Sequence, residues 1–265
     1  MPFPSAPSVS YATVVAALRS AGCVFAEDEA RLILSTARTP AELTAMVDRR
    51  STGLPLEHVL GWAEFCGLRI AVEPGVFVPR RRTEFLVQQA VALALARDAT
   101  APLVVDLCCG SGAVGAALAA SLLGAELHAA DIDPAAVRCA RRNVSADHVY
   151  EGDLFEPLPR TLRGRIDVLA ANVPYVPTEE VGLLPPEARD HEPLVALDGG
   201  GDGLDVLRRV TAEAPRWLAP GGFLLVETSE RQAPAAVETF AGSGLVPRLA
   251  VSEELYTTVV IGTRS

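Results

Sequence analysis

A chain of 265 residues, nearly half of them hydrophobic, can bury the core of one large α/β domain with a smaller appendage. Its formal net charge of −10 argues against a general nucleic-acid binder, which needs basic groups to neutralise phosphates. Every basic residue is Arg, so a lysine Schiff base and a Walker-type phosphate lysine are both excluded.

Cys23, Cys66, Cys108, Cys109 and Cys139 make an odd set without metal-ligand spacing, which fits a reducing compartment and predicts no metal centre. Adjacent Cys108 and Cys109 read as small residues in a tight turn. The apolar run from Ala113 to Ala125 is too short and interrupted to span a bilayer, and Met1-Pro-Phe-Pro lacks the basic start of a signal peptide. The expectation is a cytoplasmic protein with no membrane partner and no direct nucleic-acid partner.

Residues 1–63 read as short helices forming a small helical domain. Val14, Val15 and Leu18 share a helical face ended by Gly22, and Leu32, Ile33 and Leu34 sit in the next helix. Thr39-Pro40-Ala41-Glu42 is a capping box with proline at the first helical position, opening a helix that stops near Gly53. Residues 64–100 read as a hairpin and linker helix. Leu68, Ile70 and Val72 alternate with polar or small residues between Gly67 and Pro74-Gly75. The run Arg80-Arg81-Arg82 then precedes an apolar helix reaching about Ala96; such a run is a solvated helix start or a holder of an acidic partner.

Residues 101–265 alternate strands and helices. The predicted strands are Leu103–Leu107, Glu126–Ala130, His148–Glu151, Ile166–Ala171, Phe223–Glu227, Leu245–Val251 and Thr257–Gly262, with helices between the first five. Asp133-Pro134 caps one helix and Ser229-x-x-Gln232 is a capping box for another; Pro215 should kink or set the register of a helix carrying Leu207, Val210, Ala214 and Trp217. This alternation predicts a mostly parallel, doubly wound sheet whose last two strands pair antiparallel.

The loop Asp106-Leu107-Cys108-Cys109-Gly110-Ser111-Gly112 follows the first strand of that sheet and opens a helix. Gly110-x-Gly112-x-x-Gly115 matches the dinucleotide fingerprint, a weak signal alone, and Asp131 ends the next strand where an acid can chelate two ribose hydroxyls. Nicotinamide and S-adenosylmethionine enzymes both place an acid there. Three features separate them. Asp106 would repel a pyrophosphate but suits a cofactor with a sulfonium and an amino group. Asp153, in Gly152-Asp153-Leu154-Phe155, can take an adenine amino group while Leu154 packs on the base. Asn172-Val173-Pro174-Tyr175 ends the fourth strand on the cofactor side, where a carboxamide oxygen can hold an amino or amide nitrogen and a ring can lie on a planar group.

From about Ala41 to Gly222 the sequence resembles the protein N5-glutamine methyltransferases, the release-factor-modifying family known as HemK or PrmC. The resemblance rests on Gly53-Leu54-Pro55, on Gly61-Trp62-Ala63-Glu64-Phe65-x-Gly67, and on Pro79-Arg80-Arg81-Arg82-Thr83-Glu84 against the family's Pro-Arg-Pro-x-Thr-Glu. Downstream it rests on Glu192-Pro193-Leu194-Val195-Ala196-Leu197 and Gly200-Gly201-Asp202-Gly203-Leu204. It implies a class I, Rossmann-like, seven-stranded methyltransferase fold with an N-terminal helical domain for substrate recognition. The implied cofactor is S-adenosyl-L-methionine, held by Asp106, Cys108, Cys109, Gly110, Ser111, Gly112, Asp131, Asp153 and Leu154, with Asn172 bordering it. The implied reaction is methyl transfer to the side-chain amide nitrogen of a glutamine, at Asn172, Val173, Pro174 and Tyr175. The implied partner is a protein acceptor, most often the Gly-Gly-Gln loop of a peptide chain release factor.

Val173 replaces the family's first motif proline, Arg81 replaces the proline after Arg80, and Cys108-Cys109-Gly110-Ser111-Gly112 stands where the family often has Gly-Thr-Gly-Thr-Gly. These departures mark a divergent paralogue. Two other readings use the same residues: an adenine-N6 DNA methyltransferase, which carries a similar turn but which the net charge disfavours, and a non-catalytic paralogue that binds a protein partner.

Overall fold

A computed structural model describes residues 10–97 and 101–265. The Met1-Pro-Phe-Pro start and the junction at residues 98–100 lie outside them. Helices α1 (Tyr11–Ser20), α2 (Ala26–Thr36), α3 (Pro40–Ser51) and α4 (Leu56–Leu60) bury Val14, Leu18, Ile33, Leu43, Met46 and Val59 in a core of their own. Caps set their ends: the Thr39 hydroxyl accepts from the Glu42 N–H at 3.1 Å, and the Glu42 carboxylate reaches back to the Arg38 N–H at 2.8 Å. Arg50 makes a buried two-bond pair with Glu29, at 2.6 and 3.0 Å.

Strands β1 (Trp62–Phe65) and β2 (Leu68–Ala71) form the expected hairpin, and α5 (Glu84–Ala96) follows the arginine run. The large domain contains β3 (Leu103–Leu107), α6 (Ala113–Ser121), β4 (Glu126–Asp131), α7 (Pro134–Ala140), β5 (Val149–Glu151) and β6 (Ile166–Ala171). It continues with α8 (Pro186–His191), α9 (Asp205–Trp217), β7 (Leu218–Thr228), α10 (Ala233–Gly242), β8 (Leu245–Ser252) and β9 (Thr257–Arg264). Their seven-stranded sheet has the order β5-β4-β3-β6-β7-β9-β8, parallel except for β9, which runs antiparallel to both neighbours as expected.

Alternate residues of the central strands feed two cores, because successive side chains leave a strand on opposite faces. Val104, Val168 and Leu225 pack with α5, α6 and the hairpin; Val105, Leu107, Leu169 and Val226 pack with α9 and α10. With both faces covered, the strands read as continuous apolar runs rather than alternating ones. Strand order reverses at β3, which opens a crevice beyond the carboxyl ends of β3 and β6.

Two expectations about elements fail. Between β5 and β6 there is no α-helix, only a 3₁₀ turn at Arg160–Leu162; Pro157 and Pro159 remove donors and Gly164 takes a left-handed φ of +72°. The strand predicted from Phe223 begins earlier, at Leu218, and takes in Pro220-Gly221-Gly222 as an irregularity, where the register against β6 shifts between Ile166 and Val168. Pro215 sits in the last turn of α9, which ends two residues later at Trp217. No helix among the described residues is long and apolar enough to cross a membrane.

Candidate active site

One cavity at the reversal point gathers residues from five strand ends and from the hairpin linker. Its wall includes Asp106, Cys108, Cys109, Gly110, Ser111, Asp131, Asp153, Leu154, Asn172, Val173, Pro174 and Tyr175. Of the residues singled out from the sequence, Gly112 alone is not in the wall; it shapes the loop from behind. Its φ is +78°, and a Cβ there would stand 3.2 Å from the Ala140 Cβ.

The glycine loop is built from backbone bonds. The Cys109 N–H donates to the Ala130 carbonyl at 3.1 Å and the Gly112 N–H to the Cys109 carbonyl at 2.7 Å. Cys108 adopts a φ of +56°, a region that costs a non-glycine residue about 1–2 kcal/mol. The adjacent thiols are not poised for redox or nucleophilic work: burial pushes both well above the ordinary thiol range.

Three carboxylates line the cofactor end. Asp131 accepts from the Gly110 N–H at 2.8 Å and the Asp133 N–H at 2.9 Å, one on each oxygen, so the end of β4 is tied to the loop after β3. Asp106 is buried and accepts from the Gly115 N–H at 2.7 Å. Burial raises its carboxyl to about 8, against the opposing Gly115 N–H and with help from the nearby Asp131 charge. Burial raises Asp131 as well. Two carboxylates held uncomfortably in one wall suit a cationic ligand. Asp153 is less free than expected, since Arg209 of α9 donates to its Oδ2 at 2.5 Å. Leu154 stands beside it at a φ of +50°.

At the end of β6, Asn172 Oδ1 is buried and has no hydrogen-bond partner among the described residues. A buried carboxamide oxygen left unpaired costs about 1–3 kcal/mol. No backbone N–H among the described residues donates to the Val173 carbonyl either. The Val173 side chain is buried in the core with Leu204 and Leu207. Tyr175 is pinned at both ends: its hydroxyl donates to Glu227 Oε1 at 3.0 Å, and its carbonyl accepts from Gln232 Nε2 at 2.9 Å. Burial and the Glu227 charge hold its phenol above the ordinary range.

Several site residues escaped the sequence reading. Of the arginine run, Arg81 is exposed, while Arg80 and Arg82 hold acidic partners, the second of the two readings given above; what the sequence did not show is which acids. Arg80 pairs with the buried carboxylate of Glu192, which also accepts from the Val78 N–H at 3.1 Å, and Arg82 pairs with Glu227 at 3.0 Å. Gln232 does only half the work of a capping box. Ser229 Oγ accepts from the Gln232 N–H, but the carboxamide nitrogen spans the Tyr175 and Asp202 carbonyls, both at 2.9 Å. Asn143 ties the hairpin to the glycine loop, donating to the Ala71 carbonyl at 2.9 Å and the Ser111 carbonyl at 2.8 Å. Phe77, Val195 and Arg209 also line the cavity. The arginine run was the one signal that could have led to this acidic network.

Comparison with known proteins gives this geometry a family. Residues 89–177 match the family model described as ribosomal protein L11 methyltransferase (PrmA). A release factor glutamine methyltransferase of Geobacter sulfurreducens is 41% identical over 212 residues, covering 77% of this chain and 72% of that protein. The chain belongs to the release factor glutamine methyltransferase family. It is an S-adenosylmethionine-dependent methyltransferase of class I fold. A crystal structure of a methyltransferase from Pyrococcus furiosus shares the fold at a TM-score of 0.53 and 16% identity, over 75% of this chain and 90% of that one. A 4-amino-L-phenylalanine/4-methylamino-L-phenylalanine methyltransferase of Streptomyces pristinaespiralis is 38% identical over 77% of this chain and 71% of that protein.

Proposed function

We propose that the protein methylates the side-chain amide nitrogen of a glutamine in a protein acceptor, with the Gly-Gly-Gln loop of a peptide chain release factor as the target. The observation that carries this reading is the buried, unpartnered Asn172 Oδ1 in the wall that also holds Asp106 and Asp131. S-adenosylmethionine supplies an electrophilic methyl group on a sulfonium. Asp131 would hold the ribose hydroxyls, Asp153 and Leu154 the adenine end, and Asp106 the cationic end. Gly110 and Gly112 let the loop backbone approach, while Cys108, Cys109 and Ser111 complete the wall.

An amide nitrogen is a poor nucleophile because its lone pair is delocalised into the carbonyl. No residue in the cavity wall is a histidine, the two thiols there are held protonated, and the carboxyls raised by burial, Asp106 and Asp131, belong on this reading to the cofactor end and not to the acceptor nitrogen. The chain's residues therefore act by orientation and electrostatics. Asn172 Oδ1 takes one amide hydrogen and the Val173 carbonyl the other, which turns the nitrogen lone pair toward the cofactor end and favours pyramidal nitrogen. The Tyr175 ring packs against the planar amide. The nitrogen gains one carbon and releases one proton to solvent. Val173 in place of proline keeps the needed group, a backbone carbonyl, and Pro174 still biases the residue before it towards extended backbone.

A second reading follows from the Streptomyces pristinaespiralis relative: two hydrogen-bond acceptors beside an aromatic ring also suit the amino group of a free aromatic amino acid. One experiment separates them. The purified protein is incubated with methyl-labelled S-adenosylmethionine and, separately, with release factor, 4-amino-L-phenylalanine or DNA, and products are read by mass spectrometry. One added methyl on the glutamine of the release factor supports the first reading. Label only on the amino acid or only on DNA overturns it.

A further inference from the structure

The side chains that fix Tyr175 form a closed unit that neither the cofactor end nor the two hydrogen-bond acceptors explain. Arg82 Nε donates to Glu227 Oε1 at 3.0 Å, Arg82 Nη2 donates to the Tyr175 hydroxyl at 2.6 Å, and that hydroxyl donates to the same Glu227 oxygen at 3.0 Å. The Glu227 side chain is 2% exposed and its Oε2 has no partner among the described residues, whereas the Arg82 side chain is 47% exposed. The triangle thus runs from the core to the mouth of the cavity. Arg82 and Tyr175 both belong to the cavity wall; Glu227 stands behind them.

Arg82 occupies the unspecified position of the family's Pro-Arg-Pro-x-Thr-Glu motif. We infer that Arg82 is a positioning residue that selects the acceptor by setting the Tyr175 ring, with Glu227 as its buried anchor. The inference rests on the acceptor role proposed above for Tyr175. A tyrosine ring held only by its backbone swings about two side-chain torsions. Here the Gln232 carboxamide holds the residue's carbonyl, and the triangle holds the hydroxyl at the far end of the ring, so the direction of the ring axis has a single setting. Arginine suits this work because its planar fork meets a carboxylate and a phenol at once from two nitrogens of fixed spacing; the ammonium of lysine is a compact charge on a shorter, flexible stem without that spacing. Because the fork comes from the linker ahead of α5 and not from the sheet, a change in that linker resets the acceptor wall without touching the cofactor end.

The test compares the wild-type chain with Arg82→Lys, Arg82→Gln, Tyr175→Phe and the double variant Arg82→Gln/Tyr175→Phe. Acceptor turnover, S-adenosylmethionine affinity, thermal unfolding and the ¹³Cζ resonance of labelled Tyr175 are measured. With four tyrosines in the chain, that resonance is assignable by substitution. Arg82→Lys keeps a cation beside Glu227 and therefore keeps its unfolding temperature and cofactor affinity, yet its kcat falls about 10- to 100-fold, as expected for a misplaced positioning group. Its Tyr175 resonance moves towards that of exposed tyrosine. The double variant is no slower than the slower single one, since both break the same triangle. An Arg82→Lys enzyme with wild-type kcat, or strictly additive losses, overturns the inference. The tyrosine resonance needs no acceptor. If the wild-type chain methylates none of the acceptors tried, the functional reading fails, while an unmoved resonance in Arg82→Lys sinks the positioning role on its own.

Discussion

Replacing Asn172 by Ala removes the one atom on which the acceptor chemistry is argued to turn. Because Oδ1 has no partner among the described residues, its loss breaks no hydrogen bond seen there and removes a buried polar atom that lacks one. Stability should therefore change by no more than about 1 kcal/mol, a shift of about 2–4 °C in unfolding temperature for a domain of this size. The rate is another matter. A preorganised hydrogen-bond partner aimed at the reacting group is worth about 2.7–4 kcal/mol, or about 10²–10³-fold in kcat. Single-turnover transfer from methyl-labelled S-adenosylmethionine to the acceptor gives that rate, and calorimetry gives cofactor affinity in the same preparation. The expected pattern is a rate reduced by at least about 10²-fold with cofactor binding largely intact. Transfer within about tenfold of wild type would refute the assignment, as would a fall in cofactor affinity large enough to account for the lost rate.

Other perturbations probe other parts of the site. Asp131→Ala should weaken S-adenosylmethionine binding and also destabilise the fold by about 1–3 kcal/mol, because the Gly110 and Asp133 N–H groups lose their acceptor; unchanged affinity by calorimetry contradicts the ribose role. Cofactor affinity should tighten with pH up to about 8 and flatten above it, with proton release below that point, because burial raises the Asp106 carboxyl to about 8 and a bound cation favours its charged form. For the ligand-free fold the sign is opposite: with the folded value raised above 3.8, the Asp106 contribution to stability is full below 3.8 and lost as pH rises through about 8. A cofactor isotherm that does not change between about pH 6 and about pH 9 refutes the first statement, and a ligand-free unfolding temperature that does not fall as pH rises through about 8 refutes the second. Gly199→Ala should lower kcat far more than cofactor affinity and cost about 1–3 kcal/mol of stability, since a Cβ there would meet the Pro174 carbonyl oxygen at 2.7 Å and the Tyr175 Cα at 2.8 Å. Val173→Pro should keep turnover within about fivefold of wild type, because the carbonyl stays and only the route of the backbone into it changes; a far larger loss shows that valine has reset the turn.

That Asp106, the glycine loop and Asp131 come together was legible in the sequence because these parts are local. Asp106, the glycine loop and Asp131 sit at strand ends that apolar runs announce, and the structure puts all but Gly112 in one wall. The sheet was legible for the same reason, down to the antiparallel pairing of β8 with β9, where too few residues separate the strands for a helix. What stayed hidden depends on partners far apart in the chain. Arg82 meets Glu227, Arg80 meets Glu192, and Gln232 meets Tyr175; none of these pairs has a periodicity or spacing to betray it. Gln232 was misread for a physical reason. The Ser-x-x-Gln pattern does signal a helix start, and the Ser229 half of it forms, but the carboxamide gains more by bridging two buried carbonyls than by closing the box. The segment between β5 and β6 failed in the other direction: alternation promised a helix, and Pro157, Pro159 and Gly164 withheld it.

Those hidden contacts divide the acceptor wall into held atoms and free ones. Gly199 and Gly203 leave no room for a side chain against the Pro174-Tyr175 backbone, Gln232 fixes the Tyr175 carbonyl, and Arg82 with Glu227 fixes its hydroxyl. Among the described residues, Asn172 Oδ1 is buried at this turn without a partner, and no backbone N–H donates to the Val173 carbonyl. A site that must activate a weak nucleophile without a base needs this division. Its hydrogen-bond acceptors must already stand where the N–H groups arrive, so that no reorganisation is spent during transfer, and they must be otherwise unsatisfied, so that the arriving donor displaces nothing. The Val173 substitution respects both conditions, since the valine side chain is buried in the core behind the turn and no backbone N–H among the described residues donates to its carbonyl. On the inference drawn above, the Tyr175 ring is then set from outside the sheet, by an arginine of the linker ahead of α5.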